Sequence, residues 1–294
     1  MTIRHLKIFL YVIDEGGITN AAQKLYISQP SVSQAVQEIE KYYGIRLFDR
    51  ISKRLYLTES GRYLEGYARH IVSLFNEMEQ NILSIEDKGP IRIGASLTVG
   101  STILPELLHA FQDDFGQASV EITIKNTKDI EEALMKNAID ISVVEGAIHT
   151  PDLVCKSFMQ DEVVLVCGKG HPLYDKPQID RQELKNEEFI LREEGSGTRE
   201  LFESVMTAND IEWRRKWECA DSGGIISAAI NSFGIGVISK LLVQSPVREG
   251  SLRILKVKDT RFVRNFSTVY HKNKYLSKPL RAFIAICERY KKTV

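Results

Sequence analysis

The chain has 294 residues, is 43% hydrophobic, and carries 39 basic against 39 acidic side chains for a formal net charge of zero. That length suggests about two domains with ample material for buried cores, and the charge balance by itself gives no hint of a nucleic-acid partner. No run of about 18 apolar residues is present, so no transmembrane helix is expected; the N-terminus MTIRHLKIFLYVIDEGG carries acidic residues and a helical period where a signal peptide has an uninterrupted apolar stretch, so the protein is expected in the cytoplasm.

His5 to Asp14 places Leu6, Phe9, Leu10 and Ile13 at helical spacing, and Gly16-Gly17 ends that helix. The next stretch, Thr19 to Lys41, reads as two short helices joined by the turn Tyr26-Ile27-Ser28. The first is expected to be capped by Thr19 and to run through Ala21, Ala22 and Leu25; the second starts at Ser28 or Gln29 with Pro30 in its first turn, where a missing N–H is harmless. Val32, Ala35, Val36 and Ile39 make one buried stripe, which leaves Pro30, Ser33, Gln34, Gln37 and Lys41 on the opposite face. Amides and hydroxyls can both donate to and accept from base edges in the major groove, whereas a merely solvated helix usually carries Glu and Lys there. The pattern is that of a helix-turn-helix; the alternative is an ordinary helical hairpin in an all-α domain.

Between Lys41 and Arg62, six basic residues (Lys41, Arg46, Arg50, Lys53, Arg54 and Arg62) face only Asp49 and Glu59. Arg46 to Leu57 reads as a β-wing whose Arg50, Lys53 and Arg54 would follow the phosphate backbone; a solvated basic face is the plainer reading. The candidate DNA contacts are Thr19, Asn20, Gln29, Pro30, Ser31, Ser33, Gln34, Gln37, Lys41, Arg50, Lys53 and Arg54. Thr58 then caps a long helix expected to reach Asp87. Its residues Leu64, Tyr67, Ile71, Leu74, Met78, Ile82 and Ile85 alternate spacings of three and four, which is a seam for a partner helix. Packing on the chain's own second domain is the alternative.

After Asp87-Lys88-Gly89-Pro90 the pattern changes. IRIGAS, a helix through Leu104 to Phe115, VEITIK, a helix opened by Thr127, and DISVVEG make successive β-α-β units, so an α/β domain with a parallel sheet is expected. A second set follows: DEVVLVCG, EEFILRE, a helix from Thr198 to Ala208, WRRKWECA, a helix from Ser222 to Asn231, and GIGVIS. RILKV, NFSTVYHK and a closing helix from Lys278 complete the chain. Two sets imply two lobes with a crevice between them. The expected fold class is α+β overall: a winged helix-turn-helix over 1–58, a linker and dimerisation helix over 59–88, and a two-lobed α/β regulatory domain over 91–294. Lobe 1 covers 91–161 and 266–294, and lobe 2 covers 162–265.

Two stretches end strands and open helices with small hydroxyl residues at the junction. They hold Ser96, Thr98 and Ser101 in the first, and Gly195, Ser196, Gly197 and Thr198 in the second. Free backbone N–H groups and a hydroxyl at a helix N-terminus suit an anion. Ser222 opens a third helix in the same manner, and Glu145 ends a strand that should face the crevice; it would repel a naked anion unless it bonds a donor group. A capped, flexible GSGT loop is the bland alternative. Arg192 and Arg199 could add charge and are equally explained as salt-bridge partners.

No GxxxxGK[ST], GxSxG or HExxH stretch is present and the six histidines are scattered, so an enzyme is not expected. A solute-binding transport protein would fit the two lobes but not the N-terminal hairpin. Cys155, Cys167, Cys219 and Cys287 form no CxxC pair and are expected as buried reduced thiols; no metal or cofactor is expected.

The stretch from Phe9 to Gly61, with its AA..L..SQP.VS run and LF.R at Leu47 to Arg50, resembles the LysR-type transcriptional regulators, and the resemblance extends over essentially the whole chain. Gln34 stands where many members have Arg. The resemblance implies a tetramer built through linker helices and regulatory domains, with an effector between two periplasmic-binding-protein-like lobes. REEGSGTRE is similar to a branch that responds to small inorganic or carboxylate anions. The partners expected are double-stranded operator DNA, a small-molecule or inorganic-anion effector, further copies of the chain from homodimer to homotetramer, and RNA polymerase; no membrane is expected.

Overall fold

The computed structural model describes residues 1–51, 54–83, 90–116, 119–185 and 187–290. They fold as two compact units, one carrying the N-terminal helices and the wing, the other the α/β body. The first opens with α1 (Ile3–Asp14), α2 (Ile18–Leu25) and α3 (Gln29–Tyr43). Thr2 caps α1 in a reciprocal pair with His5. The cap expected at Thr19 does not form. α2 begins one residue earlier, glycine 17 occupies the cap position, and no side chain bonds there, so Thr19 is left exposed within the first turn. Tyr26, in the left-handed region at φ 54°, ends α2, and Ser28 caps α3 by accepting from the Ser31 N–H at 3.3 Å. Val32, Ala35, Val36 and Ile39 are buried, as their spacing predicts, against Ile8, Val12, Phe9 and Leu47.

The wing is β1 (Phe48–Ile51) paired antiparallel with β2 (Arg54–Leu57), and α4 (Glu59–Leu83) follows. Two polar side chains fix its base. The Glu40 carboxylate accepts from the Leu47 N–H at 2.7 Å, and the Thr58 hydroxyl donates to the Arg46 carbonyl at 2.7 Å while accepting from the Gly61 N–H at 2.9 Å. A Cβ on Gly61 would lie 2.3 Å from the Leu47 carbonyl oxygen, so only glycine permits this approach. Along α4, Leu64 packs inward with Leu47 and Ala68, whereas Tyr67, Ile71 and Met78 are exposed. Ile85 and the side chain of Ile82 lie outside the described residues. No described helix is long and apolar enough to cross a membrane.

The second unit runs β3 (Ile91–Ser96), α5 (Leu97–Thr102), α6 (Leu104–Phe115), β4 (Val120–Lys125), α7 (Thr127–Met135), β5 (Ile141–Glu145), β6 (Leu153–Gly168), β7 (Glu188–Arg192), α8 (Gly197–Ala208), β8 (Arg214–Cys219), α9 (Ser222–Ile230), β9 (Ile235–Ser239), α10 (Gln244–Arg248), β10 (Leu252–Leu255), β11 (Phe262–His271) and α11 (Lys278–Arg289). Strand order is β4-β3-β5-β11-β6-β9-β7-β8, with β10 added beside β6. β4, β3 and β5 are mutually parallel, and so are β8, β7 and β9. The parallel sheet expected from the sequence is present in each lobe and is interrupted at the joint. β6 starts at Leu153, eight residues ahead of the expected Asp161, and pairs antiparallel with β11, which in turn pairs antiparallel with β5.

These two strands carry the chain between cores. On β11, Phe266 belongs to the core of Ile93, Phe111 and Phe283, and Phe262 to the core of Phe189, Phe202 and Val237. On β6, Met159 and Val163 divide in the same way, and the register pairs Met159 with Phe266, Asp161 with Arg264 and Val163 with Phe262. Arg264 and Asp161 therefore sit at the crossing between the lobes.

A second charged cluster braces the first lobe. Asp140 accepts from the Arg92 backbone N–H at 2.8 Å, from Arg92 Nη2 at 2.6 Å and from the buried Lys274 ammonium at 2.8 Å. Burial pushes the Asp140 carboxyl up, but Arg92 and Lys274 outweigh it and hold the group below its ordinary value. A depressed carboxylate contributes stability at neutral pH that is lost as pH falls from its unfolded value through its folded one. Asp140→Asn removes the carboxylate that Arg92 and the buried Lys274 share, and is expected to destabilise the α/β unit by about 1.5–3 kcal/mol at pH 7. In urea unfolding across pH, the gap to wild type should close below about pH 4; a gap that persists in acid contradicts this assignment.

Candidate DNA interface and effector cleft

On the N-terminal unit, Thr19, Asn20, Gln29, Pro30, Ser31, Gln34, Gln37, Lys41 and Arg50 are exposed, and Ser33 is half-buried. Several already have partners. Asn20 donates to the Glu15 carbonyl at 2.9 Å, tying α2 to the end of α1, and the Ser31 hydroxyl pairs with that of Ser28 at 2.8 Å within the α3 cap. Gln34 Nε2 donates to Glu38 Oε1 at 2.8 Å, and the second Glu38 oxygen lies 3.0 Å from His5 Nε2. Because a carboxylate only accepts, this bond turns the Gln34 amide N–H toward Glu38 and its carbonyl away. Ser33 faces the wing: with Gln37, Glu40, Phe48 and Arg50 it lines a depression of about 260 Å³. Lys53 lies outside the described residues, and Arg54 stands opposite Ile51 in the wing register.

In the α/β unit, two of the hydroxyl residues singled out from the sequence, Thr98 and Thr198, converge on one buried group that sequence reasoning did not select. Arg264, 5% exposed, donates from Nε to Asp161 at 2.8 Å, from Nη1 to the Thr198 hydroxyl at 2.8 Å and from Nη2 to the Thr98 hydroxyl at 3.4 Å. Glu145 Oε1 lies 3.7 Å from Nη1, and Ser239 donates to the other Asp161 oxygen at 2.7 Å. Thr98 follows β3 in the first lobe and Thr198 opens α8 in the second, so one guanidinium bridges both.

The backbones beside it are in contact. The Ser96 hydroxyl accepts from the Glu145 N–H at 3.3 Å, buried Thr127 donates to the Glu145 carbonyl at 3.1 Å, and the Lys128 N–H donates to the Gly195 carbonyl at 3.1 Å. A Cβ on Gly197 would stand 2.5 Å from the Glu145 carbonyl oxygen. Ser196 caps α8 through the Thr198 N–H at 3.3 Å. Beside this contact, Lys128, His149, Gly195, Ser196 and Arg199 line a depression of about 220 Å³.

Other expectations change. Ser101 is exposed on α5 and makes none of these bonds. Ser222 is the first residue of α9 but not its cap; Asp221 accepts from the Gly224 N–H at 2.8 Å. Thr127 opens α7 as expected, with the Asn126 side-chain Oδ1 capping it by accepting from the Asp129 N–H at 2.9 Å. Arg192 is paired with Glu193 at 2.7 Å, and Arg199 with Glu203 and Glu218 at 2.7 Å each. Cys167 and Cys287 are buried, which pushes the Cys167 thiol up to about 12, but Cys155 is exposed and Cys219 half-buried, so burial of all four thiols is not observed. Among the described residues no cluster of His, Cys, Asp and Glu is arranged to hold a metal.

A model of the LysR substrate binding domain matches residues 84–291, and one of the bacterial regulatory helix-turn-helix proteins of the lysR family matches residues 3–62. The chain belongs to the LysR family. It is 32% identical over 288 residues to the HTH-type transcriptional regulator YeiE of Escherichia coli K12, covering 98% of this chain and 97% of that one. Among solved structures, the regulatory domain of CcmR from Synechocystis PCC6803, in complex with 2-PG, matches at TM-score 0.63 and 25% identity over 68% of this chain and 96% of that one. Full-length OxyR from Pseudomonas aeruginosa shares the fold at TM-score 0.65 and 18% identity, over 98% and 93%. This LysR-type protein is thus a transcriptional regulator, not an enzyme, with a DNA-binding helix-turn-helix and a two-lobed effector-binding domain.

Arg264 was detectable by period. In FVRNF it alternates with Phe262 and Phe266, so a strand that buries both rings must bury the guanidinium as well. On the DNA face, Gln34→Ala is expected to relax preference at one or two base pairs at about 1–3 kcal/mol, whereas Arg50→Ala weakens all sequences alike and flattens the salt dependence. Binding curves on an operator and on scrambled DNA over a salt series separate the two; equal, sequence-independent losses would contradict the division.

Proposed function

We propose that operator binding or promoter activation by this regulator is modulated by a small anionic effector held between the two α/β lobes. The observation that carries the reading is the convergence of Thr98 and Thr198, from opposite lobes, on the Arg264 guanidinium. A ligand that competes for these donors and hydroxyls binds the closed and open arrangements with different affinity, which is what shifting a population requires. α8 opens beside the same point, and its N-terminal end favours negative charge. The candidate effector contacts are Ser96, Thr98, Glu145, Gly195, Ser196, Gly197 and Thr198, with Arg264 added; Ser101 and Ser222 stand outside this cluster.

The DNA side of the proposal assigns base reading to Gln34 and Gln37, with Gln29, Pro30 and Ser31 at the start of α3, and phosphate contact to Lys41 and Arg50. Self-association fits the exposed stripe of Tyr63, Tyr67, Ile71 and Met78 on α4, since a second copy of the helix would cover it. A homodimer matches a two-fold operator, and tetramers allow dimer spacing to respond to effector. The regulator would act in the cytoplasm, with RNA polymerase as the partner at an activated promoter.

A thermal-shift screen of the full chain against small metabolites and inorganic anions tests the effector. A ligand at a hundred times its Kd stabilises by about 2.7 kcal/mol, and the same ligand should change the operator footprint. Thr98→Ala and Ser196→Ala should lose the ligand-induced change, while Gln34→Ala loses operator affinity with or without ligand. Footprints identical in the presence and absence of a confirmed ligand contradict the proposal.

A further inference from the structure

We infer that the cleft selects a small oxyanion that keeps a proton, with Glu145 accepting that proton's hydrogen bond; this rests on the reading of the cleft as the effector site. Glu145 is 1% exposed. Its Oε1 lies near Arg264, but its Oε2 is buried and has no hydrogen-bond partner. Arg264 is one positive charge shared between two buried carboxylates. Asp161 takes the Nε and Nη2 contacts at 2.8 Å and a serine hydroxyl besides, while Glu145 stands 3.7 Å from Nη1, which leaves its charge largely uncompensated.

A buried acceptor without a donor is unfavourable, and the missing donor is what a ligand can supply. An ammonium group is a poor candidate. The guanidinium 3.7 Å from Glu145 repels a second cation, and the N-terminal end of α8, backed against the Glu145 carbonyl, favours negative charge. An uncharged O–H on an otherwise anionic ligand satisfies both sides: its proton meets Oε2 while its other oxygens accept from Arg264 and the threonine hydroxyls. A fully deprotonated oxyanion would set lone pairs against the carboxylate. The ligand is also small, because the backbones at Gly146 and Gly197 already touch, with a Cβ on Gly146 only 3.1 Å from the Gly197 Cα.

The test is isothermal titration calorimetry of the full chain at neutral pH with two probes of the same tetrahedral shape, inorganic phosphate, which keeps at least one O–H, and sulfate, which keeps none. Phosphate should bind at least about tenfold tighter, because a site built to hydrogen-bond a hydroxyl rejects the analogue that lacks it. Glu145→Gln puts an N–H where the acceptor was and should shift the phosphate-to-sulfate ratio toward sulfate by about tenfold or more. Thermal unfolding reports whether the variant is folded; if it is not, the wild-type ratio decides. Sulfate binding as tightly as phosphate, or a ratio unchanged in a folded Glu145→Gln, overturns the inference and leaves Oε2 to a bound water. Binding of neither probe also overturns it. In that case a metabolite hit whose footprint change is lost in Thr98→Ala keeps the cleft as the effector site, whereas no hit at all removes both.

Discussion

Arg264 and Asp161 face each other across the antiparallel β6–β11 pair at the step where both strands leave one hydrophobic core and enter the other. Charged groups are unfavourable in a core unless paired, so this pair marks the place where neither lobe's apolar packing continues. The surrounding polar contacts follow from it. Thr98 and Thr198 accept from the guanidinium, Ser239 satisfies the far side of Asp161, and Glu145 is held near the cation by the end of β5. A site at such a crossing is suited to sensing, because any group that competes for Arg264 acts on both lobes at once.

The N-terminal unit solves a different problem, which is to expose a helix face without letting it drift. Apolar residues of α3 pack on α1 and α2, while Glu40 and Thr58 pin the chain on either side of the wing. The exposed side of α3 is therefore free to carry amides. Gln34 is itself oriented by Glu38, so the direction of its exposed amide depends on a neighbour one turn along the same helix.

Legibility in the sequence followed the range of the interactions. The hairpin was readable because helical spacing, Pro30 and Ser28 act within a few residues, and the β-α-β units because each strand and helix announces its own period. Caps were less secure: Thr127 and Ser222 open α7 and α9 as their positions suggest, but at α2 the capping position is Gly17, two residues before the hydroxyl expected to fill it, since a small offset changes little in the pattern. The antiparallel joint was not readable, because β6 and β11 find each other across about a hundred residues, as do Arg264 and Asp161 with a separation of 103. The cleft residues chosen from the sequence were those that local rules can flag, hydroxyls and glycines at strand-to-helix junctions. The cation that joins them lay in a strand read only for its apolar neighbours.

The measurement that bears most directly on this account is the stability of the α/β unit when the cation is removed and its volume kept. Arg264→Met leaves Asp161 and Glu145 buried without their partner, and urea unfolding of the full chain should show this unit destabilised by about 3–5 kcal/mol. Arg199→Met, in the more exposed pairs with Glu203 and Glu218, should change it by only about 0–1 kcal/mol. Equal, small effects for both would contradict the claim that the lobes are joined through Arg264.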